Sequence, residues 1–125
     1  MAVGLRFSPA HLWVRAEDGE AVIGLSEYLQ DQLGDITALE LPDIGDLVRA
    51  SRRMGSVESE DASSPIEAPI TGEVVEVNSE ALQNPEVVNS DPYAGGWLIK
   101  VRMDDPSELE DLIAEEEYAE LTTEV

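Results

Sequence analysis

The chain has 125 residues, a hydrophobic fraction of 42% and a formal net charge of −21. The length fits one domain with a single core, and the hydrophobic fraction is too high for a disordered chain. The absence of cysteine excludes disulfides and thiolate sites,, and the acidity argues against nucleic acid or an anionic lipid surface as partner.

Short β-like segments, separated by turn signals such as Asp18-Gly19 and Pro42-Asp43, make up most of the chain,. The predicted strands are, in chain order, residues 3–7, 12–16, 20–25, 36–41, 46–50, 54–58, 65–68, 72–77 and 97–103. Many short strands at close spacing are typical of a β-barrel or β-sandwich. We therefore predict a single, mainly β domain over residues 1–125, accompanied by short helices.

The last predicted strand alternates with the period of two that a half-buried strand requires. One face carries only apolar side chains, those of Trp97, Ile99, Val101 and Met103. The opposite face carries Leu98, Lys100 and Arg102.

Three segments have helical signals. Residues 26–34 begin with a serine cap and end at Gly34, and residues 79–83 offer one or two turns before Pro85,. The third segment, at about 105–121, begins with Asp105 as cap, and Glu108 completes a capping-box pattern,. Residues 104–125 hold ten acids and no base, which is typical of a solvated face,.

Seven motifs follow one another in a specific order and spacing: HLWV at 11–14, IGLS at 23–26, LGDI at 33–36, LELPDIG at 39–45, GEVVEVN at 72–78, NSDPY at 89–93 and GWLIK at 96–100. Together they resemble the H protein of the glycine cleavage system over nearly the whole chain. The resemblance implies the barrel-sandwich hybrid of lipoyl and biotinyl domains with short flanking helices.

The resemblance also implies a carrier in glycine catabolism that has no catalytic residues of its own. In that family a lipoyl group on a hairpin lysine takes an aminomethyl unit from a decarboxylase. The group presents this unit to an aminomethyltransferase, and a dehydrogenase then reoxidises it. Protein partners of this kind, no membrane and a cytoplasmic location are therefore expected.

The predicted hairpin at 57–69, with its tip at about 58–64, departs from the family pattern Glu-Ser-Val-Lys-Ala. The aligned residues here are Glu58, Ser59, Glu60, Asp61 and Ala62, so Asp61 stands at the lysine position. Lipoylation forms an amide on a lysine amine, and a carboxylate offers no such nitrogen. Further departures surround the tip, at Glu60, Pro65 and Glu67. No lipoyl cofactor is therefore expected at this site.

Lys100 is the only lysine of the chain. It lies in a predicted strand, and the resembled family also has a lysine at this position. We therefore interpret it as a surface charge of the sheet and not as a substitute attachment point.

Two functional interpretations follow from the missing lysine. The first is a non-lipoylated paralogue that acts as a protein-binding or regulatory module. The alternative is an aminomethyl and lipoyl carrier of the glycine decarboxylase complex. The second interpretation requires attachment somewhere other than Asp61, or a sequence altered from a lysine-bearing parent.

Other candidate sites have weaker signals. Glu58, Glu60 and Asp61 place three carboxylates within four residues, but the spacing of a calcium loop is absent, so we favour a solvated acidic tip and no metal. His11 is the only histidine and has no plausible triad partner, which favours a structural role over a catalytic one,. Residues 89–92 are typical of a turn that is either structural or partner-facing.

Overall fold

The computed structural model describes residues 6–8, 11–17, 19–26, 29, 34–50, 52–60, 62–90, 96–114 and 117–118. The strands in these ranges are β1 (Arg6–Phe7), β2 (Leu12–Glu17), β3 (Glu20–Leu25), β4 (Ile36–Glu40), β5 (Leu47–Val48), β6 (Arg53–Ser59), β7 (Ser63–Glu67), β8 (Gly72–Val77), β9 (Ile99–Met103) and β10 (Ile113–Ala114). The helices are α1 (Ser79–Gln83), α2 (Glu86–Ser90) and a 3-10 helix at Pro106–Asp111. Within the described ranges no helix is long and apolar enough to cross a membrane.

Two antiparallel sheets enclose the core. The larger has seven strands in the order β10-β1-β2-β3-β9-β8-β5, and the smaller has three in the order β4-β6-β7. Ile23 and Val101 of the larger sheet share one apolar cluster with Val57 and Ile66 of the smaller sheet, and each of these is at most 2% exposed. Burying one such side chain stabilises the fold by about 1.5–3 kcal/mol, so this cluster holds the two sheets together.

Several sequence-predicted elements are present with their predicted bounds, namely strands β3 and β8 and helix α1. Leu98 is fully buried, although it falls on the same predicted strand face as Lys100 and Arg102. It precedes β9, and its N–H donates to the carbonyl of Ile23 at 2.8 Å. Residues 3–5 and most of the predicted helix 26–34 lie outside the described residues.

Helix α2 replaces the first half of the turn predicted at 89–92. Asn89 belongs to this helix, and its side chain reaches β4. The Asn89 Oδ1 accepts from the N–H of Ile36 at 2.9 Å, and the Nδ2 donates to the carbonyl of Gly34 at 3.3 Å. The side chain of Asn89 therefore has a structural role at the start of β4, while Asp91 and Pro92 lie outside the described residues.

The acidic segment predicted as helical at 105–121 is only partly helical where it is described. Asp105 caps the 3-10 helix by accepting from the Ser107 N–H at 3.1 Å, and hydrogen bonds from Ser107 hold the pKa of Asp105 below its ordinary value. Glu108 does not complete the predicted capping box and instead bonds to Thr71. Its carboxylate accepts hydrogen bonds from the Thr71 N–H at 2.7 Å and from the Thr71 hydroxyl at 3.0 Å. Strand β10 then follows and pairs with β1.

Candidate functional site at the β6–β7 hairpin

The hairpin is built by β6 and β7, which pair with Val57 opposite Ser64 and Glu58 opposite Ser63. Hydrogen bonds between Ser59 and Ala62 close it: the Ser59 N–H donates to the Ala62 carbonyl at 2.8 Å, and the Ala62 N–H donates to Ser59 Oγ at 3.2 Å. Asp61, which stands at the lysine position of the family pattern, lies outside the described residues. Its neighbours Glu60 and Ala62 belong to the connection between the two strands.

Strands β6 and β7 anchor the hairpin in the hydrophobic core. Val57 and Ile66 are buried in the core, while Glu58, Glu60 and Ala62 are exposed. Pro65 is accommodated because β7 is the edge strand of its sheet, where the missing N–H of a proline is tolerated,. The sequence therefore combines a rigid, core-anchored stem with an exposed acidic tip.

A surface groove of about 580 Å³ runs beside the tip, between the hairpin and α2. Its lining includes Asp35, Glu60, Glu86 and Asn89, which present carboxylate and amide oxygens. Such a lining suits a cationic or hydrogen-bond-donating group. Sequence reasoning identified Glu60 but missed Asp35 and Glu86, because only the folded chain brings these residues together.

The described residues give no support for metal binding at the tip. Among the described residues, no three histidine, aspartate or glutamate side chains are grouped closely enough to hold an ion. Asp61 is not one of these residues. The solvated acidic tip stays the favoured prediction.

Lys100 lies on β9, in the interior of the larger sheet, with β3 paired on one side and β8 on the other. Its Nζ is 3.5 Å from a carboxylate oxygen of Glu76 and 5.8 Å from the ring centroid of Trp97. The side chain is 30% exposed. A lysine held by two neighbouring strands lacks the mobility of one at a hairpin tip, and the hairpin lies on the other sheet.

His11 takes part in a hydrogen-bonded network with Tyr118 and Ser26. The Tyr118 hydroxyl is 2.9 Å from His11 Nδ1 and 2.8 Å from Ser26 Oγ, and its ring stacks on Phe7 at a centroid distance of 4.0 Å. Burial lowers the pKa of His11 below its ordinary value. These contacts support the structural role predicted for His11, at the junction between the start of the chain and residue 118.

The substitution Tyr118→Phe should lower the free energy of unfolding by about 1–3 kcal/mol, since it deletes a hydroxyl that bridges two polar side chains in a mostly buried site,. Urea denaturation followed by Trp fluorescence would measure the change. The control is Ser63→Ala, which removes an exposed hydroxyl from β7. Equal denaturation midpoints for wild type and Tyr118→Phe would refute a stabilising role of the network.

Comparisons with known proteins bear on the whole chain. The family model described as glycine cleavage H-protein matches residues 5–125. The glycine cleavage system H protein of Vibrio campbellii is 51% identical over 115 residues, which cover 91% of each chain. That of Bacillus cereus strain AH820 is 46% identical over 118 residues, covering 94% of this chain and 93% of the other.

The fold has a close counterpart among solved structures. The crystal structure of a glycine cleavage system H protein from Mycobacterium marinum superposes with a TM-score of 0.90 at 29% identity, covering 98% of this chain and 99% of that one. This match confirms the mainly β architecture with short helices and the barrel-sandwich hybrid fold predicted from the sequence.

Proposed function

Because the chain belongs to the glycine cleavage H-protein family, we propose that it serves the glycine cleavage system as a protein to which the enzymes of that system dock. The observation that carries this proposal is the match over residues 5–125, which leaves no separate domain for another activity within that span. The chain is not itself an enzyme, since this is a family of carrier proteins. The expected cytoplasmic location stays a prediction.

The comparisons favour a more specific role within that system, namely carriage of an aminomethyl unit in glycine catabolism. Relatives at 51% and 46% identity bear the name of the H protein, and they support the carrier interpretation better than a separate regulatory paralogue. Carriage requires a covalent arm, and the arm requires an amine. The one lysine side chain that this sequence offers is Lys100.

The second candidate is a docking module without an arm, and the chemistry of the hairpin favours it. The described tip residues Glu58, Ser59, Glu60 and Ala62 include no lysine, and the sequence has Asp61 between the last two. Lys100, in turn, lies next to Glu76 on a strand of the other sheet. On this proposal the chain occupies the same enzymes as a lipoylated H protein and transfers nothing.

One experiment separates these roles. The unaltered chain is incubated with lipoate, ATP and a lipoate ligase, and its intact mass and peptide map are recorded, followed by binding assays with purified glycine cleavage enzymes. A gain of one lipoyl group supports the carrier role. An unchanged mass together with binding supports the docking module, whereas an unchanged mass without binding contradicts both.

A further inference from the structure

An unusual concentration of positive charge surrounds the short strand β5. We call the exposed residues Ile44, Leu47, Arg49, Arg52 and Arg53 the arginine face. Three of the seven basic residues in the chain fall within this stretch, although the chain carries 28 acids. The same surface holds two large exposed apolar side chains, since Ile44 is 66% and Leu47 74% exposed.

The apolar side chains of this face lie on a tightly bonded turn. The Asp43 N–H donates to Asp46 Oδ2 at 2.9 Å, and the Asp46 N–H donates to the Asp43 carbonyl at 3.0 Å. The turn is tied to β8 as well, because the Gly45 N–H donates to the Val74 carbonyl at 2.8 Å and the Val74 N–H to the Asp46 carbonyl at 2.9 Å. A surface that is ordered in advance loses little conformational entropy when a partner binds.

Within the described residues, the three guanidinium groups form no ion pair. In the part of the chain that the structure describes, no carboxylate lies within 4.0 Å of the charged nitrogens of Arg49, Arg52 or Arg53. The contact described for them is the bond from Arg53 Nε to the Gly55 carbonyl at 3.3 Å. In so acidic a protein, this leaves three cations available to an outside carboxylate.

The shape of this surface suits a protruding segment. A concavity of about 590 Å³ is lined by the three arginines, one carboxylate and four apolar residues, namely Asp46, Pro42, Leu47, Val48 and Met54 beside Arg49, Arg52 and Arg53. Strand β5 forms the outer edge of the larger sheet, so the concavity opens beside an edge that no other described strand covers. A lining that combines apolar side chains with three arginines and one carboxylate has a net positive charge, which is complementary to an apolar side chain flanked by carboxylates,.

We propose that the arginine face docks a short protein segment that carries carboxylates around an apolar anchor. Guanidinium groups bind carboxylates through paired hydrogen bonds, and the exposed leucine and isoleucine supply the apolar contact. The net charge of −21 repels long polyanions, which disfavours nucleic acid,. A short segment escapes most of this repulsion, because physiological salt screens charges beyond about 8 Å. The proposal does not depend on whether the chain carries a lipoyl group.

A selection from a random peptide library on the folded, full-length protein tests this chemistry without knowledge of the partner. We expect the enriched peptides to combine aspartate or glutamate with a large apolar residue. Their amide shift perturbations, measured by NMR titration, should fall on residues 44–54. Failure to enrich peptides, enrichment of basic peptides, or perturbations elsewhere on the surface would each overturn the proposal.

Matched variants then isolate the arginines. Arg52→Gln should weaken the selected peptides at least about tenfold, the loss expected for one charge-assisted contact, and Leu47→Ser should weaken them as well. Arg6→Gln makes the same change in net charge on β1, near the opposite edge of the larger sheet, and should leave affinity unchanged. Thermal unfolding confirms that each variant is folded. Equal weakening by Arg6→Gln would mean that net charge alone drives binding and would refute a docking site.

Discussion

Gly55→Ala should destabilise the protein by about 3 kcal/mol or more, the upper part of the range for overpacking in a closely packed site. A Cβ on Gly55 would collide with the backbone carbonyl oxygen of Glu40 and come within 3.1 Å of its carbonyl carbon. Both residues belong to the paired strands β4 and β6, so backbone must move away from backbone. A change of side-chain rotamer cannot relieve this collision, because the obstructing atoms belong to the main chain of Glu40.

Chemical denaturation of Gly55→Ala against wild type measures this loss. Ser56→Ala is the matched control, because it also places an alanine on β6 at the next residue, where a Cβ is already accommodated. It should stay within about 0.5 kcal/mol of wild type, as most substitutions away from critical contacts do. If Gly55→Ala were as stable as Ser56→Ala, β4 and β6 would have to be packed less closely than described.

Asp61→Lys should convert an unmodified hairpin into one that lipoate ligase loads with a lipoyl group. The substitution supplies the missing nucleophile. The ligase uses ATP to convert the lipoate carboxyl group to an acyl-adenylate with loss of pyrophosphate, and the lysine Nζ then attacks the acyl carbon to form the amide and release AMP. The described hydrogen bonds that close the hairpin join Ser59 to Ala62, and the buried side chains of Val57 and Ile66 anchor its strands in the core. The stem should therefore keep its geometry when the side chain changes.

Intact mass and a peptide map of Asp61→Lys, taken after incubation with lipoate, ATP and ligase, show whether residue 61 is loaded. Asp61→Asn is the control, since it removes the carboxylate without supplying a primary amine, and its mass should not change. Complementation of a strain that lacks H protein extends the test to function. A folded Asp61→Lys protein that gains no lipoyl group would mean that other departures at the tip, such as Glu60 or Pro65, prevent recognition.

The sequence predicts best where a pattern is local. Strands β3 and β8 have their predicted bounds because apolar side chains and adjacent turn residues delimit them within a few positions. Helix α2 was missed because Val87, Val88 and Asn89 individually favour strand or turn. The helix is held by bonds from Asn89 to Ile36 and Gly34, which lie more than 50 positions away.

In the candidate site, too, the locally determined part could be predicted from the sequence and the part formed by distant residues could not. The described tip residues Glu58, Ser59, Glu60 and Ala62 could be located from the sequence, because a hairpin is a local structure and the family motif marks it. The groove beside the tip could not, since Asp35 and Glu86 meet Glu60 only through the packing of α2 against β4. The arginine face lies between these cases: its basic pair is visible in the sequence, but only the folded surface shows that these arginines form no ion pair with another described residue.

The position of β9 between β3 and β8 determines when the larger sheet can form during synthesis. Arg102 pairs with Glu20 on one side and with Glu73 on the other, so strands made early cannot join across the sheet until residue 103 has left the ribosome,. Until then β3 has an open edge, on which chaperones or a neighbouring nascent chain could act. Chains truncated before residue 99 should therefore aggregate through this open edge, whereas chains that extend through residue 103 can pair β3 with β9,.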